Sequence, residues 1–313
     1  MFFRVSKSGN ADFTNIQDAI NALPADGGMI FISSGTYKER VEILKPNVTL
    51  IGENATDTII TEGYYALEMM PDGFKRGTFR SYTFFVNANH FKAFNLTFEN
   101  SSGFGTKVGQ AVAVYAEGDD ILFKNCIMLG HQDTLFTGPL PLSEKEKGGF
   151  TGPTENAPRR KVHQCYEDCY IEGEVDFIFG SAAAYFLNCT LFALDRGEEV
   201  NAYYTAPSTY EGQEFGYVFE SCKFTGNCPP RSVYLSRPWR IHAKCVLLRC
   251  ELDDELIPEG FFDWNKPESH ETVQYAEYKC TGSGANRSHR ASFSRELTDS
   301  EAAAITRERV LSF

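Results

Sequence analysis

The stretch that decides the fold is residues 168–181, which read DCYIEGEVDFIFGS. Its first half alternates apolar and polar side chains, with Cys169 and Ile171 on one face. An alternation of period two is typical of a short β-strand with one buried face. Its second half sets Asp176 inside an apolar run, and burying an ionised carboxylate without a partner is costly. Asp176 must therefore either have a partner that offsets its charge or take part in a reaction.

The same short strand pattern recurs along the middle of the chain, each time as a polar residue followed by apolar-x-apolar. The units read NLTF, NCIM, DCYI, NCTL, SCKF and RCEL, and their first apolar residues are Leu96, Cys126, Cys169, Cys189, Cys222 and Cys250. The stretch VTLIG at Val48–Gly52 is a candidate for an earlier unit. Spacings of 30, 43, 20, 33 and 28 residues indicate coils of one kind with loops of varying length. This predicts an all-β solenoid, a parallel β-helix.

Five of the nine cysteines occupy equivalent positions in these units. Stacked coils would bring them together as a buried column of free thiols. The competing interpretation is a metal site formed by Cys165 with Cys169, or by Cys245 with Cys250. The strand pattern explains the cysteines without a metal, and the CxxC spacing of zinc sites is missing.

Composition limits the class of protein. The chain has 313 residues, 42% of them hydrophobic, and a net charge of −12. We find no linker, so we expect one domain over residues 1–313, acting as a monomer. The negative charge argues against nucleic acid and anionic membranes as partners. No segment approaches the ~20 apolar residues that span a bilayer.

The expected location is the cytoplasm. The first residues, MFFRVSKSGN, lack the apolar core of a signal peptide, and free thiols suit a reducing compartment. The alternative is a secreted enzyme whose leader has been removed.

Both ends of the chain are predicted to form short helices that cover the open ends of the solenoid. The N-terminal segment has Thr14 and Gln17 at the spacing of a capping box and Pro24 as a stop. The C-terminal segment repeats this pattern with Thr298 and Glu301.

Two aspartates share one position relative to the cysteine column. Asp133 lies seven residues after Cys126, and Asp176 lies seven residues after Cys169. If the cysteines stack, the aspartates stack too, with backbones about 4.8 Å apart. Two such carboxylates titrate as a pair with separated pKa values, which suits a base or nucleophile working with an acid. The alternative is that each aspartate satisfies backbone groups in a turn.

Other catalytic patterns leave little trace in the sequence. The G-x-S-x-G, H-E-x-x-H and Gly-rich phosphate-binding motifs are absent. His131 is the only histidine near the aspartate pair and is a weak catalytic candidate.

Five segments, taken in order, resemble the pectin methylesterases, which are carbohydrate esterases with a right-handed parallel β-helix. The segments are GTYKE at 35–39, GQAVAV at 109–114, QDTL at 132–135, DFIFG at 176–180 and RPW at 237–239. The resemblance implies hydrolysis of methyl esters in pectin or in shorter oligogalacturonides. Methanol is released and a carboxylate remains, with no metal or organic cofactor.

The resemblance also implies catalytic roles for five residues. Asp176 would be the nucleophile, and Asp133 the general acid that later acts as base. Gln110 and Gln132 would form the oxyanion hole, and Arg237 would hydrogen-bond Asp176. Without the resemblance, the alternative is that the two amides form a ladder between coils and that the arginine forms an ordinary surface ion pair.

Four further residues are candidates for substrate binding. Trp239 would form an apolar wall for the sugar ring, unless it is a core residue. With it we group Thr78, Phe136 and Phe179. By contrast, Tyr37 and Glu39 look structural, with Glu39 expected to pair with Arg40 or Arg80.

The sequence departs from the family pattern at three places. Ser236 stands where glycine is expected before RPW, and Phe136 where tyrosine is common. An insertion at about 137–163 carries the basic run Arg159, Arg160 and Lys161. We expect this loop to border the cleft, and its basic run either to bind free galacturonate carboxylates or to be solvated.

A β-helix alone does not decide the reaction. A polygalacturonase would need a Gly-His-Gly site, which is absent, and a pectate lyase would need calcium carboxylates and a basic residue. A non-catalytic carbohydrate-binding β-helix is the remaining alternative, although binding does not require two stacked acids.

Overall fold

The computed structural model describes residues 1–312, which form 26 short strands and few helices. In chain order the strands are β1 (Phe2–Val5), β2 (Gly28–Ile32), β3 (Gly35–Lys38), β4 (Val41–Ile43), β5 (Val48–Gly52), β6 (Thr58–Glu62), β7 (Phe84–Val86), β8 (Lys92–Phe94), β9 (Thr97–Asn100), β10 (Val114–Ala116), β11 (Ile121–Lys124), β12 (Ile127–Leu129), β13 (Leu135–Thr137), β14 (His163–Glu167), β15 (Tyr170–Gly173), β16 (Ile178–Gly180), β17 (Ala183–Leu187), β18 (Thr190–Ala193), β19 (Ala202–Pro207), β20 (Tyr217–Glu220), β21 (Lys223–Gly226), β22 (Val233–Ser236), β23 (Lys244–Leu248), β24 (Glu251–Leu252), β25 (Gln274–Tyr278) and β26 (Ser294–Glu296). The α-helices are α1 (Ile16–Ala22), α2 (Gly105–Val108), α3 (Asp299–Ala303) and α4 (Arg307–Leu311). Four 3₁₀ turns cover Thr78–Arg80, Pro267–Glu271, Ser283–Ala285 and Arg287–His289.

The strands build three long parallel sheets. Sheet A runs β1-β2-β5-β8-β11-β14-β17-β20-β23-β25-β26, sheet B runs β24-β21-β18-β15-β12-β9-β6-β3, and sheet C runs β22-β19-β16-β13-β10-β7-β4. A coil visits A, then B, then C, as in β14, β15 and β16. Each strand therefore pairs with its counterpart one coil away, and the predicted parallel β-helix is confirmed.

The recurring units are explained by the turn between sheets A and B. The polar first residue of each unit has a left-handed backbone, with φ of 56° at Asn95, 51° at Asn125 and 53° at Asn188. Asparagine and aspartate tolerate this region better than most residues. The next residue lies directly before the sheet B strand and is buried in the core, which is why a polar residue precedes each apolar one.

The cysteine column is present and is longer than predicted. Each thiol approaches a backbone carbonyl oxygen of the preceding coil, as Cys169 Sγ does with Phe123 at 3.5 Å. Cys280 extends the column by one coil, with its Sγ 3.9 Å from the Leu247 oxygen. The placement of Val48–Gly52 in this series is wrong, because β5 lies in sheet A, and the sheet B neighbour of β9 is β6.

The metal interpretation of the cysteine pairs does not fit their placement. Cys165 lies in the hydrophobic cluster outside sheet A, whereas Cys169 lies in the central core. Within residues 1–312, no three His, Cys, Asp or Glu side chains are grouped so that they could hold one metal ion.

The N-terminal helix is capped differently from the prediction. The Glu39 carboxylate accepts hydrogen bonds from the backbone N–H groups of Ile16 and Gln17, both at 3.0 Å. The expected Thr14–Gln17 capping box is therefore wrong, and so is an ion pair from Glu39 to Arg40 or Arg80. Glu39 instead binds the free N–H groups of α1, which a helix N-terminus must satisfy.

The C-terminal helices keep their predicted cap but lie elsewhere. Thr298 and Glu301 form the reciprocal capping box at the start of α3. Val310 and Leu311 of α4 pack on the outer face of sheet A, in the cluster that contains Cys165, instead of over the open end of the coils. None of the helices in residues 1–312 has the length and apolar character to cross a bilayer.

The outer face of sheet C carries a second apolar cluster. Phe85, Tyr115, Phe136 and Phe179 come from neighbouring strands of this sheet. Leu140 and Phe150 of the 137–163 insertion cover them, and so does Phe79. The insertion therefore packs beside the face on which the candidate site lies.

Candidate active site

Eight of the nine predicted site residues line one cavity of about 290 Å³ on the outer face of sheet C. They are Thr78, Gln110, Gln132, Asp133, Asp176, Phe179, Arg237 and Trp239. The cavity is also lined by Phe79, Gly149, Ala206 and Trp264, which sequence reasoning did not single out. Gly149 belongs to the insertion, so this loop borders the cleft as expected.

Asp176 is held by Arg237 through two hydrogen bonds. Arg237 Nε donates to Oδ1 and Nη2 donates to Oδ2, both at 2.7 Å. This fork-to-fork geometry is strong and directional. Burial disfavours the arginine charge, but the pairing with Asp176 more than offsets this and raises the pKa of Arg237. Asp176 therefore has the partner that its apolar surroundings require.

Two aromatic rings hold the arginine in place. The Arg237 guanidinium carbon lies 3.8 Å from the Trp264 ring centre and 3.9 Å from that of Tyr203. Cation–π contacts of this kind add to the ion pair where solvent is reduced. Neighbouring side chains in a strand point to opposite faces of the sheet. Because Tyr204 is fully buried, this alternation could have placed Tyr203 on the opposite face, where the site lies. Trp264 has no such signal, since it lies in an irregular loop.

Asp133 lies beside Asp176 on the preceding coil. Strand β13 pairs with β16 in the register Leu135 to Ile178, and the Asp133 N–H donates to the Val175 carbonyl at 3.1 Å. Burial raises the pKa of Asp133 well above its ordinary range, and the negative charge of Asp176 adds to this rise. Arg237 opposes the rise more weakly. The arrangement can hold a protonated carboxyl next to an ionised one.

Gln110 and Gln132 bring two side-chain amides to the cavity. Their backbones are linked through the Gln132 carbonyl, which accepts from the Ala111 N–H at 3.0 Å. Neither side-chain amide hydrogen-bonds to another group within residues 1–312, so a ladder between coils does not account for them. The amide N–H groups are therefore available to a bound ligand.

Aromatic side chains form one wall of the cavity. Trp239 stacks on Phe79 with ring centres 6.4 Å apart, and it meets Phe179 at 5.7 Å. Phe136 is fully buried and does not line the cavity, so we reassign it from substrate binding to the packing beneath the site. Ser236 is buried at the end of β22 without the positive φ that would favour glycine.

His131 lies away from the chemistry. Its Nδ1 is 2.8 Å from the buried Glu174 carboxylate, whose other oxygen accepts from the Gly105 N–H at 3.1 Å. This network anchors the start of α2 beside Gln132. His131 therefore supports the site and does not enter it.

The basic run of the insertion is used mainly within the protein. Arg159 donates to the carbonyl oxygens of Pro141, Thr154, Glu155 and Ala157 at 2.6 to 3.2 Å. Its guanidinium is thus occupied in folding the loop. Arg159 does not line the cavity described above, so its binding of substrate carboxylates stays a prediction.

Curated relatives match along nearly the whole chain. Pectinesterase 31 of Arabidopsis thaliana is 34% identical over 309 residues, which cover 96% of this chain and 88% of the relative. Pectinesterase 2 of Olea europaea is 35% identical over 308 residues, which cover 96% and 75% respectively.

Solved structures of pectin methylesterases have the same fold as this chain. The pectin methylesterase of Erwinia chrysanthemi is 30% identical with a TM-score of 0.80, covering 98% of this chain and 96% of that one. A pectin methylesterase variant with aspartate replaced by alanine, in complex with a hexasaccharide, gives 30% identity and a TM-score of 0.81 over the same shares. The carrot enzyme is 28% identical with a TM-score of 0.81, covering 96% and 89%.

These relatives overturn the expected cytoplasmic location. The pectin methylesterase of Aspergillus niger, 26% identical with a TM-score of 0.77, carries an N-acetylglucosamine stub on asparagine. Glycosylation of this kind belongs to secreted proteins. The thiols misled the prediction because seven of the nine are buried and would survive in an oxidising compartment. The secreted alternative fits better.

The sequence pattern of the pectinesterase family matches residues 3–139 and 158–312. Residues 140–157, between the two matched ranges, lie within the insertion, and every residue that lines the cavity apart from Gly149 is inside the match. The chain therefore belongs to the pectinesterase family of carboxylic-ester hydrolases.

Proposed function

We propose that this protein hydrolyses methyl esters of polygalacturonate or oligogalacturonides, with Asp176 as nucleophile and Asp133 as acid and base. The observation that carries the proposal is the contrast between the two carboxyl groups. Asp176 accepts two hydrogen bonds from the guanidinium of Arg237, while burial and the charge of Asp176 raise the pKa of Asp133 and favour its protonated form. A nucleophile needs the first state and a general acid needs the second.

In the first half of the reaction, an Asp176 carboxylate oxygen attacks the ester carbonyl carbon. The carbonyl oxygen becomes an oxyanion, which the amide N–H groups of Gln110 and Gln132 stabilise without adding a charge. The tetrahedral intermediate collapses, and the methoxide leaves with the proton of Asp133. Methanol departs, and the substrate acyl group is bound to Asp176 as an anhydride.

In the second half, Asp133 is a carboxylate and accepts a proton from water. The resulting hydroxide attacks the same acyl carbon, and the two amides again stabilise the oxyanion. Collapse of this intermediate frees the Asp176 carboxylate. The product leaves as a carboxylic acid that ionises in water, and both aspartates regain their starting states.

Substrate binding is proposed to use the aromatic wall. Trp239 presents a ring to the cavity and is held by Phe79, Phe150 and Phe179. Sugar rings pack well on such surfaces because their C–H faces are apolar. The hexasaccharide bound to a pectin methylesterase relative supports a substrate of this type. Thr78 lies at the start of the 3₁₀ turn that carries Phe79 and lines the same cavity.

The reaction class is tested by three product assays on one substrate. Highly methyl-esterified pectin is incubated with the enzyme, and methanol, new reducing ends and unsaturated uronate are measured. We expect methanol alone. Reducing ends would indicate a polygalacturonase and unsaturated product a lyase, while no product from pectin or methylated oligogalacturonides would favour the non-catalytic alternative.

A further inference from the structure

Glu117 is a buried carboxyl group that the proposed reaction does not use. It follows strand β10 directly and is only 4% exposed. Its one side-chain hydrogen-bond partner within residues 1–312 is Thr154 of the insertion, whose hydroxyl lies 3.4 Å from Glu117 Oε2. A buried carboxyl with so little support is costly to ionise.

The insertion meets Glu117 at two places. Near its beginning, the Gly138 N–H donates to the Ala116 carbonyl at 2.6 Å, and a Cβ added to Gly138 would lie 2.3 Å from Glu117 Oε2. In its later half, Thr154 is 1% exposed, and its hydroxyl also hydrogen-bonds the hydroxyl of Tyr115. Glu117 therefore lies under the insertion, between this loop and sheet C.

The surroundings of Glu117 favour its neutral form. Burial raises the pKa of Glu117 to about 8, against the opposing effects of the Arg159 charge, the hydrogen bond from the insertion and the Arg160 charge. Tyr115 and Tyr210 face the same carboxyl. Burial raises the pKa of both tyrosines, so neither adds a charge beside Glu117.

The insertion also forms part of the candidate active site. Gly149 lines the cavity, and the Phe150 ring lies with its centre 6.3 Å from that of Trp239 and 5.9 Å from that of Phe79. Trp239 is the surface proposed for the sugar ring. A change in how the insertion packs on sheet C would therefore reach a bound substrate.

We propose that Glu117 is a positioning residue for the substrate cleft, because its neutral carboxyl keeps the insertion docked on sheet C and its ionisation favours an open insertion. The link to substrate binding rests on the proposed function. The contacts that carry the proposal lie at residues 138 and 154, and residue 154 is outside the family match. The device therefore depends on the insertion of this chain.

The direction of the pH effect follows from the two states. In the open state the carboxyl meets water and loses its proton from about pH 4.5 upward, whereas in the docked state it does so only near pH 8. Between these values, each pH unit shifts the balance about tenfold toward the open state. Above about pH 8 both states are ionised and the balance is constant.

Amide hydrogen exchange of residues 149–157 measures this opening in wild type, Glu117→Gln and Glu155→Gln. Glutamine keeps the shape of the side chain but does not ionise, and Glu155 is an exposed acid of the same loop that controls for net charge. The ratio of wild-type to Glu117→Gln exchange rates should rise at least about tenfold from pH 6 to pH 8. Glu155→Gln should behave as wild type. A ratio that is constant with pH would overturn the proposal.

The effect on the cleft is measured as KM and kcat on methyl-esterified oligogalacturonide over the same pH range. The ratio of wild-type to Glu117→Gln KM should rise at least about twofold by pH 8, as expected when half of the molecules have an open insertion. The kcat ratio should stay constant, because saturating substrate favours the docked state. A rise in exchange without a rise in KM would overturn the role in the cleft. If wild type released no methanol, the esterase would fail, and the exchange ratio would still decide whether Glu117 holds the insertion.

Thr154→Val tests the same contact without changing Glu117. The variant keeps the shape of the side chain but loses the hydroxyl that meets Glu117 and Tyr115. Its insertion should exchange about fivefold faster than that of wild type at pH 6. Equal exchange in the two proteins would overturn the proposal, even if Glu117→Gln failed to fold.

Discussion

Asp133 and Asp176 share a left-handed backbone conformation, with φ of 66° and 54°. Aspartate and asparagine both tolerate this region, so the backbone alone does not require a carboxylate at either position. Asp168 has the same φ of 54°, but it is exposed on the surface, whereas the pair in the cavity is only 7% exposed. Burial distinguishes the two aspartates proposed as catalytic from Asp168, which shares only their backbone conformation.

Replacing Asp133 by asparagine should stabilise the protein and abolish turnover. The raised pKa of Asp133 means that the folded state disfavours its ionised form. As pH rises, the unfolded state releases this proton first, so wild-type stability falls from about pH 4 upward until the folded pKa is passed. Asparagine does not titrate. The variant should therefore gain about 1.4 kcal/mol for each unit by which the wild-type pKa is raised.

Urea unfolding at pH 4 and at pH 8 measures this difference. The stability gap between Asp133→Asn and wild type should be larger at pH 8. A gap that is constant with pH, or a variant that is less stable at pH 8, would contradict the raised pKa.

At the scale of elements, the turn between sheets A and B forms a ladder of polar side chains. Asn125 donates to Asn95 at 2.8 Å, and Asn188 donates to Asp168 at 3.4 Å, each across one coil. Ser221 occupies the next rung with a φ of 54°. The ladder is therefore interrupted by a residue that suits the left-handed conformation less well.

Ser221→Asn should continue this ladder. The new side chain would tolerate the positive φ and reach Asn188, which stabilises the fold by about 0.5–1 kcal/mol. The midpoint of urea unfolding should rise, while Ser221→Ala, which lacks both advantages, should lower it. A decrease for the asparagine variant would show that the ladder is incidental.

Helix α2 lies against one of the two amides proposed for the oxyanion hole, that of Gln132. A Cβ added to Gly105 would lie 2.6 Å from Gln132 Cβ and 2.7 Å from Gln132 Oε1. Gly105→Ala should therefore displace this amide and lower kcat by up to about 10², since loss of an oxyanion donor costs about 10² to 10³. Gly63→Ala is the control, because its nearest added contact is 3.4 Å. Equal kcat for both variants would remove Gln132 from the oxyanion hole.

The sequence predicts the strands of sheet B but not the contacts between residues far apart in the chain. The sheet B units were predictable because each follows a left-handed turn at a constant offset, but β5 looks the same and belongs to sheet A. The Glu39 cap joins residues 22 and 23 positions apart, and the Trp264 contact with Arg237 joins two irregular segments. Neither leaves a local pattern, because only the stacking of coils brings these residues together.

Across the whole molecule, the column of thiols predicts low chemical reactivity. Seven of the nine cysteines are buried, and Cys228 and Cys280 are partly buried. Burial, followed by the charge of Asp195, raises the pKa of Cys228 to about 12. A thiol reagent should therefore label at most two groups in the native protein and all nine after unfolding, with unchanged activity in oxidising buffer. Rapid labelling of more than two would contradict the packed column.

The proposed role of Asp176 as the nucleophile is tested by one comparison of rates. The rate of methanol release from methyl-esterified oligogalacturonide is measured for wild type, Asp176→Asn and Asp168→Asn. All three should unfold cooperatively, since asparagine fits the left-handed turn. We expect a loss of at least about 10⁴ in kcat for Asp176→Asn alone, as for other nucleophiles. Wild-type release by Asp176→Asn, or an equal loss in both variants, would contradict it.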